Sequence, residues 1–201
     1  MIRILLAEDQ AMVRGALAAL LRLEGDMQIV AEVARGDEVL PAALRSQPDV
    51  VLLDIELPGG SGLAAAQALR AQIPACRVVI VTTFGRSGYL RQAMEGGAVG
   101  FLLKEAPAAE LAKALRRVMA GERVVDPELA LAALSEGPNP LTPREREVLA
   151  ASLGGASIAE VAAQLVISEG TARNHLSAAI QKLGAQNRVE AARIAEAKGW
   201  L

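Results

Sequence analysis

The sequence predicts an α/β fold, a doubly wound five-stranded parallel sheet, followed by a small all-α domain. Five short β-rich runs alternate with helical patterns over residues 1–120, which is typical of a parallel sheet with helices on both faces. After residue 140 only helical periodicities occur. Of the residues, 52% are hydrophobic and only 2% are aromatic. The cores must therefore be built from Ala, Leu, Val and Ile, which suits helices packed on parallel strands.

The elements of the first part are short and alternate strictly. Each predicted strand is a run of mostly aliphatic residues, and each predicted helix has apolar residues three and four positions apart. The predicted strands are 2–7, 28–33, 50–53, 77–82 and 99–103. The predicted helices are 12–23, 38–45, 62–72, 88–96 and 108–120. Gly25, Pro48 and Gly121 mark the ends of three of these helices.

Residues 121–138 break this alternation and are predicted to form a linker. Gly137 and Pro138 are typical of such a segment, although 128–134 has the pattern of a short helix. The helices predicted beyond the linker are 142–153, 157–165, 169–183 and 188–198. The two predicted domains are 1–120 and 139–201.

Composition and charge narrow the class of protein. No apolar run reaches the ~18 residues of a transmembrane helix, and no signal peptide is recognisable, so we expect a cytoplasmic protein. Cys76 is the single cysteine, which excludes a disulfide framework and a cysteine-based zinc site. The net charge is −3 over 1–140 and +1 over 141–201. Any binding to nucleic acid therefore has to come from a local patch.

Polar side chains follow four of the predicted strands. Glu8 and Asp9 come after the first strand, Asp54 after the third, Thr82 ends the fourth and Lys104 follows the fifth. In strand order 2-1-3-4-5 the first and third strands are neighbours, so the three carboxylates converge in one crevice at the carboxyl edge of the sheet. Carboxylates at such short distances repel one another unless a cation lies among them.

Mg²⁺ is the cation that fits this predicted crevice, because it binds carboxylates and bridges to phosphate oxygens. A carboxylate beside such a metal can attack a phosphoryl group, and a hydroxyl and an ammonium can then bind the new phosphoryl oxygens. Four of these residues also have an ordinary interpretation: Asp9 as a helix cap, Asp54 as a turn residue, Thr82 as the end of a strand and Lys104 as a solvated lysine. Their joint occurrence at the ends of four strands favours the phosphoryl site.

Four segments of this part resemble the receiver domains of response regulators, in the order and spacing of that family. They are LLAEDQ (5–10), VVLLDIELPGGSGL (50–63), VVIVTTF (78–84) and GFLLKEAPAAEL (100–111). The resemblance implies a CheY-like fold in which Asp54 accepts phosphate from a sensor histidine kinase. The implied Mg²⁺ ligands are Glu8, Asp9, Asp54 and the backbone carbonyl of Glu56. The implied switch and phosphate-contacting residues are Thr82, Phe101 and Lys104.

The segment 157–183 has the pattern of two helices joined by a short turn. Ser157 and Glu160 form the signature of a capping box, and Ser168 is placed to cap the second helix. The residues of that helix predicted to face DNA are Thr171, Arg173, Asn174, Ser177 and Lys182. Arg and Asn suit base edges, whereas Thr171 and Lys182 suit phosphates. The alternative is a solvated helix face without a ligand.

Three further segments are similar to the LuxR-type four-helix DNA-binding domain. They are NPLTPREREVL (139–149), SIAEVAAQLVISEGTARNHLSAAIQKL (157–183) and NRVEAARIAEAKGWL (187–201). Together with the receiver, this resemblance identifies the chain as a member of the NarL/FixJ family of transcription regulators. Where that family usually has Val-Lys-x-His, this chain has Ala172-Arg173-Asn174-His175, which implies a different DNA sequence. The motifs AEDQ, SGYL and KGW are most similar to the DesR-like subgroup, which implies control of membrane-lipid genes.

The resemblance implies four partners: a histidine kinase, a double-stranded DNA operator, a second copy of the chain after phosphorylation, and RNA polymerase. Apolar residues of the first and fifth helices, including Leu20 and Leu111, are candidate dimer contacts. Two other classes stay open. One is a small Mg²⁺-dependent phosphatase with Asp54 as nucleophile, and the other is a DNA-binding protein with a vestigial receiver. Turnover of a phosphomonoester distinguishes the first from a switch, and we expect no enzyme activity of that kind.

Overall fold

A computed structural model describes residues 1–83, 85–105, 107–135 and 138–201. Phe84 of the receiver-like motif and Gly137 of the predicted linker lie outside the described residues. The chain divides into two compact units. The larger contains Met1–Gly85 and Leu90–Leu131, and the smaller contains Ala132–Leu201 together with Arg86–Tyr89.

The first 135 residues contain six strands and six helices within their described part. The strands are β1 (Ile2–Ala7), β2 (Met27–Val33), β3 (Val50–Leu53), β4 (Arg77–Thr82), β5 (Gly100–Leu103) and β6 (Val124–Val125). The helices are α1 (Ala11–Arg22), α2 (Gly36–Ser46), α3 (Gly62–Gln72), α4 (Ser87–Glu95), α5 (Ala108–Met119) and α6 (Pro127–Ser135).

All neighbouring strands pair in parallel, in the order β2-β1-β3-β4-β5-β6. The predicted order of the first five strands is confirmed. The sheet has six strands rather than five, because Val124 and Val125 pair with Gly100 and Phe101. This sixth strand and α6 both lie within the segment predicted to be a linker.

The sheet is buried on both faces. All four residues of β3 are fully buried, which explains why that strand is a continuous apolar run and does not alternate with polar residues. On one face, Leu6 and Leu52 of the sheet belong to the same buried cluster as Leu21 of α1 and Leu115 of α5. This packing fixes the carboxyl edge of the sheet, where β1, β3, β4 and β5 end.

The smaller unit contains α7 (Pro143–Ala151), a 3-10 turn (Leu153–Gly155), α8 (Ile158–Leu165), α9 (Glu169–Lys182) and α10 (Arg188–Ala197). Its core contains a cluster that includes Leu149, Val161, Leu176 and Trp200. Trp200 is 7% exposed, as expected for an apolar plug after the last helix. In the part of the chain that the structure describes, no helix combines the length and apolarity needed to cross a bilayer.

Candidate functional site

The strand order brings Glu8, Asp9 and Asp54 together at the carboxyl edge of the sheet. Asp54 follows β3, and its backbone N–H donates to the carbonyl of Ala7 at 3.0 Å, which holds the two strand ends side by side. Glu8 is 1% exposed and Asp54 is 5% exposed, whereas Asp9 is exposed. Carboxylate oxygens of these three residues lie within 4.8 Å of one another. The convergence predicted from the sequence is therefore present.

Lys104 connects the two buried carboxylates. Its Nζ lies 2.6 Å from Oε2 of Glu8 and 2.7 Å from Oδ2 of Asp54. The backbone N–H of Lys104 donates to the carbonyl of Thr82 at 2.9 Å, so the end of β4 fixes the backbone from which the lysine side chain extends. Thr82 itself is fully buried. The four predicted strand ends thus meet at one site.

The electrostatics of this site are those of carboxylates held close together in a partly desolvated pocket. Burial raises the pKa of Glu8, although the hydrogen bond from Lys104 opposes that shift. Burial alone lowers the pKa of Lys104, but hydrogen bonds to Asp54 and Glu8 outweigh it and leave that pKa raised. The ammonium of Lys104 pairs with Glu8 and Asp54, while the exposed carboxylate of Asp9 lies beside them and has no ion pair to Lys104, so a divalent cation can be bound among the three carboxylates.

The backbone around Asp54 is tightly packed. The N–H of Ile55 donates to Oδ1 of Asp54 at 2.7 Å, whereas Oδ2 accepts a hydrogen bond from Lys104. A Cβ at Gly62 would collide with the carbonyl oxygen of Asp54, so this close approach of α3 requires glycine. Phe101, the predicted aromatic switch, is fully buried on β5, and Glu56 is exposed in the loop that follows Asp54.

The predicted DNA-facing residues lie on α9 of the smaller unit. Thr171, Arg173, Asn174 and Ser177 are exposed, while Ala172, Leu176 and Ala179 are buried on the opposite face. Ser168 caps the helix, accepting a hydrogen bond from the N–H of Thr171 at 3.1 Å, as predicted. The predicted capping box of Ser157 and Glu160 at the start of α8 is also present. The helix-turn-helix prediction is therefore met by the local geometry.

Lys182, the fifth residue predicted to contact DNA, has a partner within its own unit. Its Nζ lies 2.9 Å from Oε1 and 2.7 Å from Oε2 of Glu145, a residue of α7 for which the sequence predicts no functional role. Glu145 is 5% exposed and also accepts a hydrogen bond from the N–H of Thr142. Burial raises the pKa of Glu145, but Lys182 and Thr142 outweigh that effect and leave the pKa lowered. The phosphate contact of Lys182 stays a prediction.

Comparison with known proteins defines the class of both units. Residues 4–116 match the response regulator receiver domain, and residues 139–195 match the bacterial regulatory proteins of the luxR family. The chain is therefore a response regulator that joins a receiver to a LuxR-type DNA-binding domain, and it belongs to the NarL family of such regulators.

Full-length relatives agree with this assignment. The chain is 45% identical over 201 residues to the uncharacterized transcriptional regulatory protein YvfU of Bacillus subtilis, covering 100% of both chains. It is also 45% identical over 200 residues to the transcriptional regulatory protein DesR of the same organism, covering 100% of this chain and 99% of DesR. Among solved structures, the chain is similar to the crystal structure of the response regulator ChrA, with 34% sequence identity and a TM-score of 0.58 over 100% of this chain and 98% of ChrA.

Proposed function

We propose that a sensor histidine kinase phosphorylates Asp54 and that this modification controls DNA binding by α9. One observation carries the proposal: the Asp54 carboxylate is buried beside Glu8 and bonded to Lys104, at the edge of the sheet where parallel strands bind ligands. Two buried carboxylates this close to each other repel, which costs stability, and this favours a binding role over a purely structural one.

The step that these residues support is transfer of a phosphoryl group. A carboxylate oxygen of Asp54 attacks phosphorus, the bond from phosphorus to the kinase histidine breaks, and the histidine nitrogen keeps the electron pair. The product is an acyl phosphate. The ammonium of Lys104 then leaves Glu8 and Asp54 and pairs with a phosphoryl oxygen, and the Thr82 hydroxyl donates to another.

The donor set fits Mg²⁺, a hard cation that prefers oxygen ligands. Glu8, Asp9, Asp54 and the backbone carbonyl of Glu56 are the residues proposed to hold it. Bound there, the metal would neutralise the charge that develops on the transferring phosphoryl oxygens. Lys104 already performs part of this task for the carboxylates.

The output is proposed to be a dimer on a double-stranded operator. The apolar groove between α1 and α5 has a volume of about 370 Å³ and is lined by Leu20 and Leu111, which were candidate dimer contacts. Met12 and Leu20 on its rim are 86% and 41% exposed. Burying them against a second copy would increase the affinity for two half-sites. Arg173 and Asn174 are the proposed base contacts, with Thr171, Ser177 and Lys182 beside them.

The proposed organisation is a receiver at 1–120, a linker at 121–138 and a DNA-binding domain at 139–201, in a cytoplasmic regulator without enzyme turnover. RNA polymerase is a proposed further partner. Control of membrane-lipid genes stays the proposal that the resemblance to DesR-like regulators implies. The identity to YvfU is equally high, so the target genes have to be identified by binding experiments.

Intact-mass spectrometry after incubation with acetyl phosphate and MgCl₂ tests the proposal. We expect one phosphoryl group per wild-type chain and none on Asp54→Asn. Asp49→Asn is a matched control, because Asp49 precedes β3 at its opposite end and accepts a hydrogen bond from the backbone of Arg3. Equal labelling of Asp54→Asn would refute the proposed site. Continuous release of phosphate at many turnovers per chain would favour the phosphatase alternative.

A further inference from the structure

Arg14 of α1 contacts the backbone of the two acidic residues that follow β1. Its Nη1 lies 2.6 Å from the carbonyl oxygen of Glu8 and 3.3 Å from the carbonyl oxygen of Asp9. The side chain therefore reaches back over the amino end of its own helix to two consecutive peptide groups. Neither motif nor fold class predicted this contact.

The position is unfavourable for a cation on local grounds. The amino end of a helix carries partial positive charge and favours acidic side chains. The first turn of α1 contains no acidic residue, and Gln10 makes no side-chain cap there. An arginine directed at this end therefore requires compensation from its contacts, and the carbonyls of Glu8 and Asp9 provide it.

Peptide planarity carries the effect of Arg14 to the Glu8 carboxylate. The carbonyl of Asp9 and the N–H of Gln10 belong to one rigid peptide unit. That N–H donates to Oε1 of Glu8 at 3.2 Å, while Oε2 of Glu8 faces Lys104 at 2.6 Å. Fixing the Asp9 carbonyl thus fixes a donor to Glu8, and fixing the Glu8 carbonyl fixes the peptide unit that precedes Asp9.

We propose that Arg14 is a positioning residue for the metal site: it holds two consecutive peptide planes so that the Glu8 and Asp9 carboxylates are presented to Mg²⁺ together. The inference rests on the proposed function of this pocket. Groups that orient metal ligands through hydrogen bonds typically change metal affinity by about 10–100-fold when they are lost. Arg14 acts here through the backbone of the ligands, so its loss should weaken metal binding without removing any ligand.

The chain contains a matched control for this test. Arg3, at the opposite end of β1, also donates from its guanidinium to two backbone carbonyls, those of Ser46 at 2.6 Å and Gln47 at 3.2 Å. Arg3→Met and Arg14→Met therefore remove the same chemistry from two ends of one strand. A merely structural role predicts the same consequences for both variants.

The experiment is a titration of the full-length chain with MgCl₂, followed by the amide chemical shifts of the pocket, with urea unfolding measured in parallel. We expect Arg14→Met to raise the apparent Kd for Mg²⁺ about tenfold, and Arg3→Met to leave it within about twofold of wild type. We also expect faster amide hydrogen exchange at Gln10 in Arg14→Met alone. An unchanged Kd in Arg14→Met, or an equal rise in Arg3→Met, would overturn the inference.

Arg14→Lys extends the test if Arg14→Met does not fold. Lysine keeps the positive charge, but its ammonium is carried on a flexible stem and is not held by the planar guanidinium whose Nη1 contacts both carbonyls. We expect a smaller rise in the Kd, of about threefold. Full wild-type affinity in Arg14→Lys combined with faster amide hydrogen exchange at Gln10 would overturn the claim that these peptide planes must be held. A wild-type chain that does not bind Mg²⁺ would instead refute the proposed function of the pocket.

Discussion

The acidic pocket of the larger unit and the exposed face of α9 in the smaller unit are both polar, but their polar groups are satisfied differently. In the pocket, Lys104 bonds to Glu8 and Asp54 within the chain. On α9, the side chains of Arg173, Asn174 and Ser177 have no partner among the described residues. The pocket therefore has its charged groups paired with one another before any ligand binds, whereas the α9 face has free donors and acceptors for an external ligand.

The largest effect is expected in the pocket, on Lys104→Met. Removing the ammonium leaves Glu8 and Asp54 as neighbouring buried carboxylates, and breaking a buried ion pair typically costs about 3 kcal/mol or more. We expect the metal-free chain to lose about that much free energy of unfolding in urea, and MgCl₂ to restore part of it. Equal stability of variant and wild type without metal would show that the pocket does not depend on its internal cation.

The second prediction concerns the face of α9. Arg173→Ala should lower the affinity for operator DNA about tenfold or more, because a bidentate contact to guanine is worth about 1–3 kcal/mol. Its free energy of unfolding should stay within about 0.5 kcal/mol of wild type, because the side chain is exposed. Fluorescence anisotropy and urea unfolding check the two parts. Arg45→Ala, an exposed arginine of α2, controls for the lost charge. A loss of stability without a loss of affinity in Arg173→Ala would contradict the contrast between the two sites.

Lys182 differs from the exposed polar residues of α9 discussed above, because it forms an ion pair within the chain. Because Lys182 pairs with the buried Glu145, Lys182→Met should cost about 1–2 kcal/mol of unfolding free energy, unlike Arg173→Ala. If Lys182 also contacts a phosphate, the variant should reduce the slope of log affinity against log salt by about one. An unchanged slope would remove Lys182 from the proposed DNA contacts.

The same ion pair should give a pH dependence with a definite sign. The pKa of Glu145 is lowered in the folded chain, because hydrogen bonds from Lys182 and Thr142 outweigh its burial. Its contribution is therefore complete above the unfolded pKa of glutamate, about 4.3, and is lost as the pH falls through the lower folded pKa. The difference in unfolding free energy between wild type and Lys182→Met should shrink below about pH 4.

The smallest effect is expected at Val166, which ends α8. This β-branched residue has φ +55° and is 90% exposed, so it has backbone strain without compensating burial. Val166→Asn should raise the free energy of unfolding by about 0.5–1 kcal/mol, because asparagine tolerates this conformation. Val189→Asn is the control, since Val189 is 64% exposed but lies within α10 with ordinary helical geometry. A loss of stability in Val166→Asn would show that the valine contributes packing here.

The pocket could be predicted from the sequence because its residues are tied to strand ends. Once the strand order is set, Glu8, Asp54 and Lys104 have to meet at one edge of the sheet. The caps Ser157 and Ser168 were also predictable, because capping depends on residues only three positions apart. These inferences use local chemistry plus one topological rule.

The remaining features depend on contacts that have no local signal. Val124 and Val125 form a strand of two residues, too short to show periodicity, and they are recognised only by pairing with β5. Glu145 and Lys182 are 37 positions apart, and only the packing of α7 on α9 brings them together. Arg14 has no sequence signal either, because its partners are backbone carbonyls, which any residue type provides.

The most direct test of the switch is the sedimentation coefficient of the full-length chain in MgCl₂, with and without beryllofluoride, which stands in for the phosphoryl group on an aspartate. We expect beryllofluoride to convert the wild type to a faster-sedimenting dimer and to leave Asp54→Ala unchanged. No change in the wild type, or the same change in Asp54→Ala, would contradict the claim that modification of Asp54 drives self-association.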